Sequence, residues 1–234
     1  MRNSVGLSSR LALLGAVGLL AVAGPAQANI TNGDFETGNF TGWTLVKQGT
    51  PLTTNDSRVV VGSVTLGPPA TQITHTAQAG NDFALLRAGA GTGSTNYTTL
   101  TSQAFSAGAG QTLSGFAFFQ ANGILVNNDD AYVQILQGNH ILFSSNVATV
   151  GVGKSTPWTA FSYDFTGVAA QYTIQAGIRN NVSTTDPSAL GLDSVSLGIT
   201  HHGSPATPEG SSLFMLIAGG LPFAAVPLLR RKRK

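Results

Sequence analysis

Between residues 29 and 200 the chain repeats one unit about ten times: a short apolar or alternating run of strand length, then a turn rich in Gly, Asn, Ser or Pro. The runs fall at 43–46, 58–66, 83–87, 97–105, 112–119, 131–136, 141–143, 158–165, 172–178 and 192–199. Thr, Ser, Gly, Val and Phe dominate this body while Glu and Lys are scarce, so local propensity favours strands and turns. In 112–119, Leu113, Gly115, Ala117 and Phe119 share one side and Ser114, Phe116 and Phe118 the other. At least one aromatic there meets an opposing layer. Short strands with glycine-rich turns predict an all-β fold, an antiparallel β-sandwich.

The flanks of that body have a different chemistry. Arg2 and Arg10 precede a small, apolar run at 11–23, followed by Gly24, Pro25 and the Ala26-Gln27-Ala28 triplet. This is the pattern of a secretory signal peptide over 1–28, cut between Ala28 and Asn29. At the other end Pro208-Glu209-Gly210 leads into an uncharged run at 213–229 and then Arg230-Arg231-Lys232-Arg233-Lys234. At about 1.5 Å rise per residue that run just reaches across a hydrocarbon core of about 30 Å. The five terminal cations belong on the cytoplasmic side, which places the body outside the membrane. A buried C-terminal helix whose basic end complements its dipole is the alternative. The expected organisation is a signal peptide (1–28), a β-sandwich ectodomain (29–200), a linker (201–212) with His201 and His202, an anchor helix (213–229) and a basic tail (230–234).

Charge excludes further classes. The chain holds 12 Lys and Arg against 10 Asp and Glu, but two of the cations lie in the signal peptide and five in the tail. Five cations against ten acids remain over residues 29–229, a net of −5. An acidic exported body disfavours nucleic acid as a partner, since phosphate backbones are held mainly by clustered cations. Without cysteine the body has no disulfide, thiolate metal site or cysteine nucleophile. Gly151-Val152-Gly153-Lys154-Ser155 lacks the first glycine of a phosphate loop, and Gly89 to Ser94 precedes no helical pattern, so neither reads as a nucleotide site. No nucleophile-elbow or metalloprotease motif is present, and the few acids cluster in turns rather than as a glycosidase pair. The chain is expected not to be an enzyme, with a secreted hydrolase the third of three readings.

The tail resembles the PEP-CTERM sorting signals of bacterial surface proteins, a Pro-Glu-Pro motif before a hydrophobic segment and a basic end. Pro208 and Glu209 match its first two positions and Gly210 stands where the family has Pro. The resemblance implies processing by a membrane-embedded peptidase of exosortase type. It further implies a destination at the cell surface or in the extracellular matrix of an exopolysaccharide-producing, biofilm-forming bacterium. The body carries a second resemblance. Residues 32–43, Asn-Gly-Asp-Phe-Glu-Thr-Gly-Asn-Phe-Thr-Gly-Trp, are similar to the opening of galactose-binding-like jelly rolls, found in carbohydrate-binding modules and many PEP-CTERM proteins. Residues 191–197, Gly-Leu-Asp-Ser-Val-Ser-Leu, are similar to their closing strand. Residues 103–105, 109–113 and 128–133 resemble central strands of PEP-CTERM ectodomains.

That second resemblance implies sites. In such domains a structural calcium bridges the first and last strands, which by position gives Glu36 and Asp193, with Asp34 or Asn32 as additional ligands. The alternative is that Asp34 and Glu36 serve a turn and Asp193 bonds locally. Sugar binding would use an exposed aromatic: Trp158, Tyr97 and Tyr132 are the candidates, while Trp43 in the opening motif is expected to pack inward. Asp129 and Asp130 read as a solvated loop tip. The leading expectation is a sorted surface or matrix protein; the alternative is a carbohydrate-binding module whose function is glycan binding, with polysaccharide as partner.

Overall fold

The computed structural model describes residues 30–48, 57–87, 89, 97–122, 129–180 and 187–199. The expected signal peptide with the cleavage residues Ala26, Ala28 and Asn29, the expected linker, the Pro208-Glu209-Gly210 motif, the expected anchor segment and the basic run at 230–234 all lie outside the described residues. Among the described residues no helix is long and apolar enough to cross a membrane.

Two five-stranded antiparallel sheets face each other. With strands numbered along the chain, the front sheet runs β1 (Trp43–Val46), β6 (Thr98–Ser102), β13 (Ile174–Arg179), β9 (Asp130–Ile135), β10 (His140–Asn146). The back sheet runs β11 (Thr159–Phe165), β8 (Gln111–Gln120), β14 (Ala189–Ile199), β5 (Asp82–Arg87), β2 (Arg58–Val61). Two small ribbons complete the fold: β3 (Ser63–Leu66) with β4 (Ile73–Thr76), and β7 (Phe105–Ala107) with β12 (Ala170–Tyr172). A single helical turn, α1 (Val147–Val150), follows β10 and is capped by the Asn146 side chain. The all-β, antiparallel expectation is met.

Alternation along each strand builds the core. Leu100, Val133, Ile135, Ile174 and Ile178 project from the front sheet, and Leu86, Leu113, Phe119, Leu190 and Leu192 from the back, all fully buried in one cluster. Each such side chain contributes about 1.5–3 kcal/mol by leaving water. Trp43 joins that cluster, as expected, with its indole N–H donated to the carbonyls of Thr31 and Asn32, 3.1 Å each.

All six residues of β5 are buried, because both of its faces are covered. Ala84 and Leu86 point inward, while Phe83 and Leu85 point outward into a second cluster with Val60, Leu66, Phe118 and Ala189. The β3–β4 ribbon and Trp158 close this cluster, so apolar packing covers the outer face of the back sheet around β2, β5 and the adjoining end of β8, while Ser162, Asp164 and Ser196 stay exposed at its other end. The outward positions of the front sheet are instead Thr99, Thr101, Tyr132, Gln134 and Gln175, all half-buried. The back sheet is thus partly covered on its outside, and the front sheet presents a polar, aromatic face.

Three expected runs are interrupted. Residues 58–66 divide into β2 and β3 at Gly62, whose φ of +76° turns the chain. Residues 97–105 divide between β6 and β7, and 172–178 between β12 and β13. Asp129 and Asp130 are not a solvated tip. Asp129 is fully buried and accepts from the Ser188 backbone N–H (3.2 Å) and hydroxyl (2.8 Å), and Asp130 begins β9.

Candidate functional site

The register of the front sheet sets two parallel rows across its strands. Gly177 pairs with Tyr132 on one side and Thr99 on the other, and Gln175 pairs with Gln134 and Thr101. Because Gly177 has no side chain, the Tyr132 ring lies down over it; a Cβ there would come within 2.5 Å of the ring's Cζ. Tyr132 reaches the second row, donating its hydroxyl to Gln175 Oε1 at 2.8 Å. Gln134 donates Nε2 to the same oxygen at 3.3 Å, and Gln175 donates its own Nε2 to the Thr101 hydroxyl at 3.0 Å. The amides are thereby held in fixed orientations.

Tyr97, just ahead of β6, extends this surface. Its ring stands 5.0 Å from that of Tyr132 at 66°, an edge-to-face pair. Its hydroxyl donates to Asp130 Oδ2 at 2.8 Å. Arg179, opposite Asp130 in the ladder, grips both carboxylate oxygens, Nε to Oδ1 and Nη2 to Oδ2, each 2.8 Å. Its guanidinium carbon also lies 5.1 Å from the Tyr97 ring centre. Burial, reinforced by the Asp130 hydrogen bond and charge, pushes the Tyr97 phenol up to about 12. Burial, then the Asp130 charge, raises Tyr132 as well. Both phenols stay neutral at physiological pH.

Beside the two rings lies an open depression of about 450 Å³, bounded by Tyr97, Tyr132, Asp130, Ile141, Ser144 and Asn146. The arrangement offers aromatic surface, hydroxyls, amides that both donate and accept, and one carboxylate already occupied by its neighbours. It suits recognition of a polyhydroxylated ligand better than proton transfer.

Trp158 belongs elsewhere. It packs edge-on against Phe118 (4.7 Å, 87°) and Phe83 (5.6 Å, 89°) on the back sheet, and its indole N–H is donated to the Thr76 carbonyl at 2.9 Å. The sequence grouped Trp158, Tyr97 and Tyr132; the fold brings the two tyrosines together and sets the tryptophan on the opposite sheet, as a lock for the β3–β4 ribbon. Trp158 also lines a shallow groove of about 530 Å³ with Ile73, His75 and Pro157. His75 is buried there, stacked parallel on Phe118 at 3.9 Å and hydrogen-bonded to Gln120 Oε1 at 3.1 Å. Burial lowers its pKa, against the opposing effect of the Gln120 bond.

The acids named for calcium grip one loop from two sides. Asp193, fully buried at a bulge in β14, accepts from the backbone N–H groups of Gln78 (2.8 Å) and Ala79 (3.2 Å) through Oδ2 and of Ser194 (2.6 Å) through Oδ1. Glu36 Oε1 accepts from the N–H groups of Asn81 (2.8 Å) and Asp82 (2.9 Å). Asp34 is exposed and accepts only locally, from the Glu36 N–H at 3.4 Å. Burial raises the Asp193 pKa even though these amides act to lower it. Among the described residues no three acids, cysteines or histidines gather as a ligand set. As folded, the Asp193 and Glu36 oxygens are taken up by backbone amides and form an anionic staple for residues 78–82.

Sequence reasoning missed Arg179, Asp130, Gln134, Gln175, Thr101 and Gly177. The signal was the alternation of polar with apolar residues in 131–136 and 174–179, where Tyr132, Gln134, Gln175 and Arg179 mark the outward face.

No family profile and no curated protein matches the chain. Solved structures do. TmCBM61, in complex with beta-1,4-galactotriose, is 15% identical with a TM-score of 0.42, over 74% of this chain and 99% of that one. A family 16 carbohydrate-binding module is 14% identical with a TM-score of 0.39, over 72% and 98%. The K3 cleaved adhesin domain of Lys-gingipain from Porphyromonas gingivalis W83 is 15% identical with a TM-score of 0.41, over 73% and 97%. At such scores and identities the likeness assigns this chain neither ligand nor activity.

Proposed function

We propose that this chain is a non-catalytic glycan-binding protein that works outside the cell, with the front sheet as its binding face. The observation that carries the reading is the pair of Tyr97 and Tyr132, 5.0 Å apart at the edge of an open depression, with the Tyr132 hydroxyl joined to the amide row of Gln134 and Gln175. A sugar ring offers an apolar C–H face and a rim of hydroxyls. The first stacks on an aromatic ring, and the second needs donors and acceptors held in one plane, which a glutamine amide supplies together.

Export and display fit this activity. The signal peptide and the sorting-like tail, read from sequence alone, place the domain on the outer surface or in the matrix, where polysaccharide is the abundant polymer, and assign its release to an exosortase-like peptidase. The test of binding is a glycan array probed with the purified full chain, repeated with Tyr132→Ala. Retained binding in that variant would remove the front face from consideration, and silence of the intact protein across the array would refute glycan binding. Deleting 213–234 is expected to release the protein into the medium; unchanged cell association would refute the sorting role.

A further inference from the structure

We propose that the front face selects uncharged glycan chains and rejects anionic ones, a specificity set by the Asp130–Arg179 pair. This rests on the glycan-binding reading above. Arg179, at the end of β13 beside the two rows, is the cation next to the tyrosine pair, and recognition of a uronate or sulfated sugar there would need its charge. That charge is already matched: both oxygens of Asp130 take its N–H groups at 2.8 Å, and Asp130 Oδ2 is further fixed by the Tyr97 hydroxyl. Asp129, buried next to it in the chain, adds a second negative charge acting on the same guanidinium. The other polar groups of the two rows, Tyr132, Gln134, Gln175, Thr99 and Thr101, carry no charge. Over residues 29–229 acids exceed bases by five, so an acidic polymer also meets a repulsive field.

The rows give the ligand's form. They cross β9, β13 and β6, which spans about 10 Å at a strand spacing of about 4.8 Å. A segment of chain lying across the strands meets the whole row, while a monosaccharide meets only the tyrosines.

Isothermal titration tests this on the full chain and on the chain with its five terminal cations (230–234) replaced by Gln, so that the basic tail does not itself bind polyanions, with neutral gluco-, galacto-, manno- and xylo-oligosaccharides set against oligogalacturonate and oligoalginate of matched length. At least one neutral series is expected to bind, more tightly with length and with little response to salt, and the anionic series to bind at least about tenfold more weakly. Asp130→Asn, which strips Arg179 of its matched charge, is expected to raise oligogalacturonate affinity about tenfold or more in a salt-sensitive manner. The double variant Asp130→Asn, Arg179→Gln removes both charges and is expected to restore the discrimination, which separates charge from misfolding. Equal or tighter binding of anionic chains by the tail-substituted protein would overturn this inference while leaving glycan binding in place. Binding of neither class would overturn both.

Discussion

Removing the Asp193 carboxylate should destabilise the fold by freeing the loop at residues 78–82 from β14. Asp193→Ala removes the acceptor of three backbone N–H groups, those of Gln78 and Ala79 in an exposed loop and of half-buried Ser194. Each hydrogen bond to a charged group is worth about 1.5–3 kcal/mol net, the 3.2 Å bond to Ala79 contributing least, and water partly replaces the carboxylate at the two exposed amides. Against this, a fully buried charge is no longer held out of water, a penalty visible in the raised Asp193 pKa. The balance is about 2–3 kcal/mol, because relief of the buried charge and hydration of the exposed amides offset part of the loss. For a domain of this size each kcal/mol moves Tm by roughly 2–4 °C, so a fall of about 7 °C is expected. Asp193→Asn keeps one acceptor oxygen but turns an NH2 toward the other donors, and should recover less than half of the loss. Scanning calorimetry supplies Tm, and hydrogen exchange at the Gln78 and Ala79 amides reports the loop directly. A Tm change under about 2 °C, or unaltered exchange at those two amides, would refute the staple. So would a calcium-induced rise in Tm that Asp193→Ala abolishes, because the carboxylate would then serve a metal.

Other perturbations separate the two faces. Gly177→Ala forces the Tyr132 ring off its bed and should destabilise by about 1–3 kcal/mol in urea; most of that cost should vanish in a Tyr132→Ala background, and full persistence would contradict the contact. Trp158→Ala should lower stability by about 2–4 kcal/mol through loss of the ribbon lock, yet leave glycan affinity unchanged; lost affinity in a folded variant would return Trp158 to the binding site. His75 has a folded pKa below its ordinary 6.5, so its contribution to stability is complete above that value and declines as the pH falls through it. Urea midpoints measured from neutral pH downward should fall accordingly, and His75→Gln should flatten that part of the profile. Tyr97, held protonated to about 12, should be among the last tyrosines to ionise in an ultraviolet titration, and Asp130→Asn should bring its ionisation earlier.

How legible the chain was depends on which force placed each residue. Strand runs such as 112–119 declare themselves, because burial against a second layer demands apolar residues at every other position, and Phe119 and Phe118 mark the two faces of β8. The β4 strand does not: Ile-Thr-His-Thr is a polar sequence made strand-like by pairing with β3 and by the stacking of His75 on Phe118, neither of which is local. The site was legible by half. Tyr97 and Tyr132 were named as exposed aromatics, but their partnership depends on register between β6, β13 and β9, which no sequence spacing encodes. Asp129 and Asp130 illustrate the same limit. An acidic pair after two asparagines looks like a solvated turn until Ser188 and Arg179, more than forty residues away, are brought against it.

The placement of β14 bears on how the domain answers a pull. Its eleven residues lie in the interior of the back sheet, hydrogen-bonded to β8 on one side and β5 on the other, and Gly33 near the start of the body is tied to Val195 by a 2.8 Å bond. A tether attached beyond Ile199 would load that strand lengthwise, so the two flanking ladders would have to shear together rather than peel one bond at a time. Rupture under flow would then be governed by the barrier to unfolding and not by equilibrium stability. The chain leaves its domain through the strand best fitted to bear tension.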